Sequence, residues 1–245
     1  MRRLIGYGIA LVLIFGLWWA LAAGLGSPAF PAPVPAVAAL LADLGRIGPH
    51  VAISLWRIVA AMILGMGLAL PCGLAIGRSR RLQLVGTPLI HLLYPIPKVV
   101  FLPVLLVLLG LGNAPKIILI ALVIFFQTLV SVRDAARAIP ESYLAVVKAF
   151  GAKRWDVIWQ VILPATAPAV FTSLRINVGT SIAILFLAES IAGSSGIGYY
   201  VMQMWGMLDY QAMFAGVIAM AVMGVALYEL LELIEHVALR WTRVG

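Results

Sequence analysis

Apolar runs of about twenty residues recur along this chain, and they decide what it can fold into. A helix rises 1.5 Å per residue, so roughly 20 apolar residues cross a hydrocarbon core of about 30 Å. The runs are Leu4–Ala23, Arg57–Gly77, Lys116–Val132, Ala165–Ala188 and Gln211–His236. A further stretch, Leu82–Gly112, is too long for one straight crossing and holds Pro88, Pro95, Pro97 and Pro103. Proline removes an amide donor and clashes with the preceding turn. That segment is therefore kinked or broken, which survives at membrane depth only where neighbours or water satisfy the freed backbone groups. A soluble domain is excluded: 64% of the 245 residues are hydrophobic and 11% charged, against roughly half and a quarter in ordinary globular chains. The expected class is an all-α integral membrane protein with about six transmembrane helices.

The net charge of +8 does not point to nucleic acid, because the basic residues sit in short clusters between apolar runs, where they fix orientation. With the N-terminus inside, the cytoplasmic face carries Arg2, Arg3, Arg78, Arg80, Arg81, Arg133, Arg137, Lys148, Lys153, Arg154, Arg240 and Arg243. The outer face carries Arg46, Arg57 and Lys116, while Lys98 and Arg175 fall within spans. Twelve against three places both termini in the cytoplasm. Leu4–Ala23 is longer than a signal-peptide core and reads as a retained first helix. Four prolines between Ser27 and Pro35 make an extended connector, followed by a short surface helix over Val37–Leu44. The chain divides into residues 1–50, the first helix and outer connector, and a core domain over 51–245. Cys72, the single cysteine, reads as a small packing residue and allows no intrachain disulfide. His50, His91 and His236 have no metal-ligand spacing, so no metal site is expected.

The polar segment 133–164 keeps helical periodicity. Leu144, Val147, Lys148 and Gly151 fall at helical spacing, as do Trp155, Ile158, Trp159 and Ile162. The reading is a short helix, a turn at Gly151 suited to left-handed backbone, a second short helix, then Leu163-Pro164 opening a span. The plain interpretation is an amphipathic loop at the headgroups; the sharper one is a docking element for a cytosolic partner.

The segment ESYLAVVKAFGAKRWDVIWQVILPATAP resembles the coupling (EAA) loop of binding-protein-dependent ABC importer permeases. That family pattern is an acidic-Ala-Ala triplet, three residues, Gly, nine residues, a branched apolar residue, one residue, then Leu-Pro. Gly151, Val161, Leu163 and Pro164 match it. The triplet positions hold Ala145, Val146 and Val147, and Glu141 lies one helical turn earlier. The resemblance covers roughly residues 53 to 243. SLWRIVAAMILGMGLALPCGLAIGRSRRL, PLIHLLYPIPKVVFLPVLLVLLGLGNAPK, LRINVGTSIAILFLAESIAGSSGIGYYV and the terminal LRW at Leu239–Trp241 are similar to signatures of the nitrate, sulfonate and taurine branch.

The resemblance implies a type I ABC importer permease fold, paired with a second permease copy as a homodimer. Two cytosolic ATPase subunits would hold ATP and Mg, since this chain has no GxxxxGK[ST] phosphate loop and binds no cofactor itself. An extracytoplasmic binding protein would deliver a small anion such as a sulfonate, taurine or nitrate. Glu141, Ala145, Lys148, Phe150, Gly151, Ala152, Lys153, Arg154, Leu163 and Pro164 would form the ATPase-coupling loop. Arg175, about ten residues and roughly 15 Å into the fifth span, joins Asn177 and Glu189 as a candidate pathway residue, with an ion-paired structural Arg as its plainer reading. Two other readings fit less well. Gly193-Ser194-Ser195-Gly196 matches the short motif of a rhomboid-like intramembrane serine protease, but by topology Ser195 lies outside and His236 near the inner face, beyond catalytic reach. A secondary transporter would carry internal repeats, and none is evident.

Overall fold

A computed structural model describes residues 2–243, with side chains for 5–241; the side chains of Arg2, Arg3 and Arg243 lie outside the described residues. Among the described residues there is no β-strand. The helices are α1 (Arg2–Leu25), α2 (Pro33–Ala42), α3 (Leu44–Arg78), α4 (Arg80–Leu93), α5 (Leu102–Leu109), α6 (Asn113–Ala138), α7 (Glu141–Ala149), α8 (Arg154–Val157), α9 (Leu163–Ala192), α10 (Ile197–Gly206) and α11 (Tyr210–Ala238). Short 3-10 turns occupy Lys98–Phe101 and Arg240–Arg243. The second span starts earlier than its apolar run, because the helix continues from Leu44 through the connector's end. The surface helix also lies a few residues earlier than expected, with Pro33 in its first turn, where a missing amide costs nothing.

The chain forms two compact units, one of residues up to Ser54 with Phe186–Met223, the other of Leu55–Leu185 with Gly224 onward. In the first, the proline-rich connector is pinned. Trp18 Nε1 donates to Pro31 O at 3.0 Å, Trp18 stacks on Phe214 at 5.6 Å, and Phe30 meets Phe214 edge-on at 5.3 Å. Asp209 caps α11, its Oδ1 accepting from Ala212 N at 3.0 Å.

The second unit is organised by α3 against α6. Small residues recur every fourth position along α3, at Ala61, Gly65, Ala69, Gly73 and Gly77, the spacing that lets helix backbones approach in lipid. A Cβ at Gly65 would stand 2.7 Å from Ala121 O, at Gly73 2.8 Å from Val132 Cβ, and at Gly77 2.7 Å from Arg133 O. The contact pairs advance together along both chains, so α3 and α6 are parallel. That settles the proline-rich stretch between them. α4 and the Lys98–Leu109 helical segment meet at 82°, yet parallel neighbours require the chain to return to the opposite face before α6 begins. The bent pair is thus one broken crossing and not a loop re-entering on one side, and with the five helices long enough to span it makes six among the described residues.

Two charges assigned to the outer face are not loop charges. Arg57 and Lys116 are each 2% exposed. Arg57 Nε donates to Asn113 Oδ1 at 2.9 Å and Lys116 Nζ to Gly112 O at 2.9 Å, at the start of α6. Removing them from the exposed outer set sharpens the charge asymmetry. Cys72 is exposed, not packed in the interior.

Candidate functional site

The segment after α6 folds as a rigid bracket. Arg78, at the C-terminus of α3, donates to Ala136 O and Ile139 O at 3.3 Å each and pairs with Glu141 at 2.7 Å. One guanidinium thereby satisfies carbonyls at the end of α6, which would otherwise lack partners, and holds the first residue of α7. Leu144, Val157 and Ile162 form a buried cluster with Leu74 and Ile139 packed against it. The bracket is anchored on one apolar side, and its remaining side faces out.

Between α7 and α8 the chain turns at Gly151, whose φ is +86°. Gly151 N donates to Lys148 O at 2.9 Å and Ala152 N to Val147 O at 3.3 Å. These are the paired bonds of a Schellman motif, with glycine at its left-handed position. Asp156 then accepts from Lys153 N at 2.8 Å and fixes the start of α8. The sequence suggested a second short helix followed by a new span. Instead Arg154–Ala192 is one uninterrupted helix. Between α8 and α9 it passes through a π-helical turn at Ile158–Ile162, where Leu163 N donates to Ile158 O. Pro164 explains the turn: it has no amide to give, and its ring crowds the carbonyl four residues back. One wider turn absorbs the misfit without a break.

Phe150, 89% exposed, and Trp155, 70% exposed, project from the bracket. Ala145, Lys148, Lys153 and Arg154 are exposed beside them, Ala152 and Leu163–Pro164 are half-buried, and Glu141 is held by Arg78. The outward face is apolar and basic, rigidly joined to the fifth span.

The three candidate pathway residues lie in three different environments. Arg175 Nε pairs with Glu235 Oε2 on α11 at 3.2 Å. Asn177 is fully buried between α9 and α6, donating to Thr128 Oγ1 at 3.1 Å and Ser173 Oγ at 3.3 Å, with its Oδ1 unpartnered. Glu189 is fully buried in the other unit, where it accepts from Ser54 Oγ at 2.8 Å and from Gly198 N at 2.9 Å.

Glu189 organises the glycine-rich turn that follows it. Ser54 Oγ accepts from Ile197 N at 2.8 Å and His50 Nδ1 from Gly196 N at 3.1 Å, so the start of α10 is capped by three side chains. Gly196 has φ +107°, and a Cβ there would overlap the Glu189 carboxylate. Of the two glycines that resemble a protease motif, Gly196 lets backbone wrap this carboxylate and Gly193 lets the chain pass close to the Glu189 backbone carbonyl. Tyr200, in α10, donates to Asp43 Oδ2 at 2.7 Å. Burial, then that hydrogen bond, push its phenol well above the usual range, so it remains the donor. Sequence reasoning missed His50, Ser54 and Tyr200 as partners, since they lie far from Glu189 or from one another along the chain.

The comparisons agree with the architecture. Residues 49–239 match the family described as binding-protein-dependent transport system inner membrane component. The chain is 32% identical over 86% of its length to the taurine transport system permease protein TauC of Escherichia coli (strain K12), covering 80% of that protein. It is 30% identical over 96% of its length to the putative aliphatic sulfonates transport permease protein SsuC of Bacillus subtilis (strain 168), covering 87% of it. Among solved structures, a chain of the MetNI methionine ABC transporter in an inward-facing conformation superposes with a TM-score of 0.61 at 17% identity, over 78% of this chain and 97% of that one. With most of its length matched and its spans in the same fold, the chain belongs to the binding-protein-dependent transport system inner membrane component family: it is a multi-pass permease component of an ABC importer, a transport subunit and not an enzyme.

Proposed function

We propose that this permease imports a small anionic solute and that residues Glu141 to Pro164 couple its movement to ATP hydrolysis on a separate cytosolic subunit. The observation that carries this reading is the continuity of the bracket with the fifth span. Phe150 and Trp155 are exposed at a turn fixed by Gly151, and the helix that begins at Arg154 does not end until Ala192. A push on that turn moves a membrane helix directly, without a slack linker. The acid of the family triplet is absent, and Glu141 is committed to Arg78, so the docking face works through Phe150, Trp155, Lys148, Lys153 and Arg154.

With six crossings, both termini share the bracket's side, and the basic residues make that side the cytoplasm of a bacterial inner membrane. A second copy of the chain completes the pathway, two ATPase subunits dock on the two brackets, and an extracytoplasmic binding protein delivers the solute. The names of the taurine and sulfonate relatives support an anion. The test is reconstitution of the permease with its ATPase in proteoliposomes, with the binding protein outside. ATP-dependent uptake of 2-aminoethanesulfonate or ethanesulfonate is expected. An assembled complex that takes up neither overturns the anion assignment.

A further inference from the structure

Polar side chains line the contact between α6 and α9. On α9, Ser173, Asn177 and Ser181 recur at every fourth position, and each is at most 5% exposed. That spacing stacks them on one face, about 6 Å apart along the axis. On α6, Gln127, Thr128 and Ser131 fall within little more than one turn. The two helices run antiparallel, since α6 ends at the bracket and α9 leaves it. Asn177 and Ser173 both meet Thr128. Asn177 Nδ2 donates to Thr128 Oγ1 at 3.1 Å and to Ser173 Oγ at 3.3 Å, and the two hydroxyls lie 3.3 Å apart.

This register leaves polar atoms unpaired. Asn177 Oδ1, Ser181 Oγ and Gln127 Oε1 are buried without a hydrogen-bond partner, at positions no water can touch. Turning the Asn177 amide over would leave its N–H groups unpaired in place of the oxygen. Orphaned groups of this kind raise the free energy of the state that holds them. Ser181 lacks a partner for a reason visible in the sequence. α9 carries it one turn beyond Asn177, away from the bracket, where α6 offers ten apolar residues in a row, 117–126. A cavity of about 270 Å³, lined in part by Val123, Phe126 and Ile184, leaves the packing there loose.

The missing partners lie one turn away. If α9 moves about 6 Å toward the bracket, Ser181 arrives where Asn177 now meets Thr128, beside Gln127, and Asn177 arrives at Ser131. The Ser131 hydroxyl now donates to Gln127 O at 3.0 Å, a bond within its own helix that it can exchange. We infer that the α6–α9 contact is a slip plane with two registers one turn apart, the observed one and one in which Ser181 replaces Asn177 at Thr128. Interdigitated side chains favour discrete registers over continuous sliding. The inference rests on the coupling reading above, which supplies the force along α9, and names the membrane contact that this force changes.

The experiment is disulfide trapping in the Cys72→Ser chain, assembled with its ATPase and binding protein. Thr128→Cys with Ser173→Cys marks the observed register, since those hydroxyls are 3.3 Å apart. Thr128→Cys with Ser181→Cys marks the slipped one, because Ser181 stands about 12 Å beyond Ser173 along α9. The 128–173 pair is expected to oxidise without nucleotide, and its bond to abolish binding-protein-stimulated hydrolysis until reductant restores it. The 128–181 pair is expected to oxidise only when ATP and vanadate hold the ATPase closed. Stimulated hydrolysis that continues through the 128–173 bond overturns the slip plane, and so does a 128–181 pair that stays reduced in every nucleotide state. If a cysteine pair does not assemble, Gln127→Met decides. Deleting an acceptor that is paired only in the slipped register is expected to raise the melting temperature of the nucleotide-free complex and to slow stimulated hydrolysis. A melting temperature that does not rise, or hydrolysis at the wild-type rate, overturns the inference. Failure of the coupling reading is seen separately, as brackets that never crosslink to the ATPase; a 128–181 bond formed in that complex still establishes the slip.

Discussion

Replacing Gly151 separates backbone strain from every other effect at the bracket. No atom lies within 4 Å of where a Cβ at Gly151 would stand, so a side chain there clashes with nothing. What it meets is a φ of +86°, which costs an ordinary L-residue about 1–2 kcal/mol and Asn less. If the free turn of a variant relaxes out of this conformation and the ATPase binds it only here, that cost is paid on docking. A loss of 1–2 kcal/mol is roughly a five- to thirtyfold shift. Gly151→Val should therefore weaken ATPase association and binding-protein-stimulated hydrolysis by about that factor, with normal membrane insertion, because the Leu144–Val157–Ile162 anchor is untouched. Gly151→Asn should retain most of both. The assay is titration of purified ATPase onto the permease in nanodiscs, followed by stimulated hydrolysis. Wild-type association by Gly151→Val, or equal losses in Val and Asn, would refute the argument that left-handed geometry at this turn sets docking.

Four further outcomes are expected. Gly73→Leu, whose Cβ would stand 2.8 Å from Val132, should abolish folded protein on size-exclusion chromatography, whereas Gly67→Leu, with nothing within 4 Å, should behave as wild type. Arg175→Leu leaves the partly buried Glu235 without its counter-ion, a loss of up to about 3 kcal/mol in thermal unfolding; Arg175→Leu with Glu235→Leu should recover most of it, and no recovery would show that Arg175 acts elsewhere. Glu189→Ala strips the acceptor from Ser54 and Gly198 and should lower stability by about 1–3 kcal/mol for each donor left unpaired, read as a drop in melting temperature. In a Cys72→Ser background, a membrane-impermeant thiol reagent should label Ser194→Cys from outside and leave Lys153→Cys unlabelled; the reverse pattern would invert the topology.

Much of the fold was legible because lipid imposes a simple length rule. Apolar runs near twenty residues located five helices, and four prolines located the broken one. Gly151 was legible as a turn because glycine alone adopts its backbone angle cheaply. Helix ends were less so: Leu44–Arg78 and Arg154–Ala192 run well past their apolar cores, because length beyond the bilayer carries no hydropathy signal. Pro164 looked like a helix start, since sequence alone does not reveal that a π-helical turn absorbs it. The close packing of α3 on α6 has a signal in the sequence, the small residues at every fourth position from Ala61 to Gly77. The burial of Arg57 and Lys116 was not legible, because a basic residue at the edge of an apolar run reads the same whether it is solvated or folded inward. Glu189's partners His50 and Ser54 were invisible for another reason: a contact across more than a hundred residues leaves no local pattern.

If ATP-driven motion enters the membrane helices at the Gly151 turn, site-directed crosslinking will detect it there. Cysteines would replace Phe150 and Trp155 one at a time in the Cys72→Ser chain, in an assembled complex that transports, with a short bifunctional thiol reagent and matching cysteines on the ATPase surface. Crosslinks are expected from both positions, with uptake that stops when the bond forms and resumes when a cleavable linker is cut. Crosslinks that never form in a transporting complex, or uptake unaffected once they have formed, would contradict that entry point.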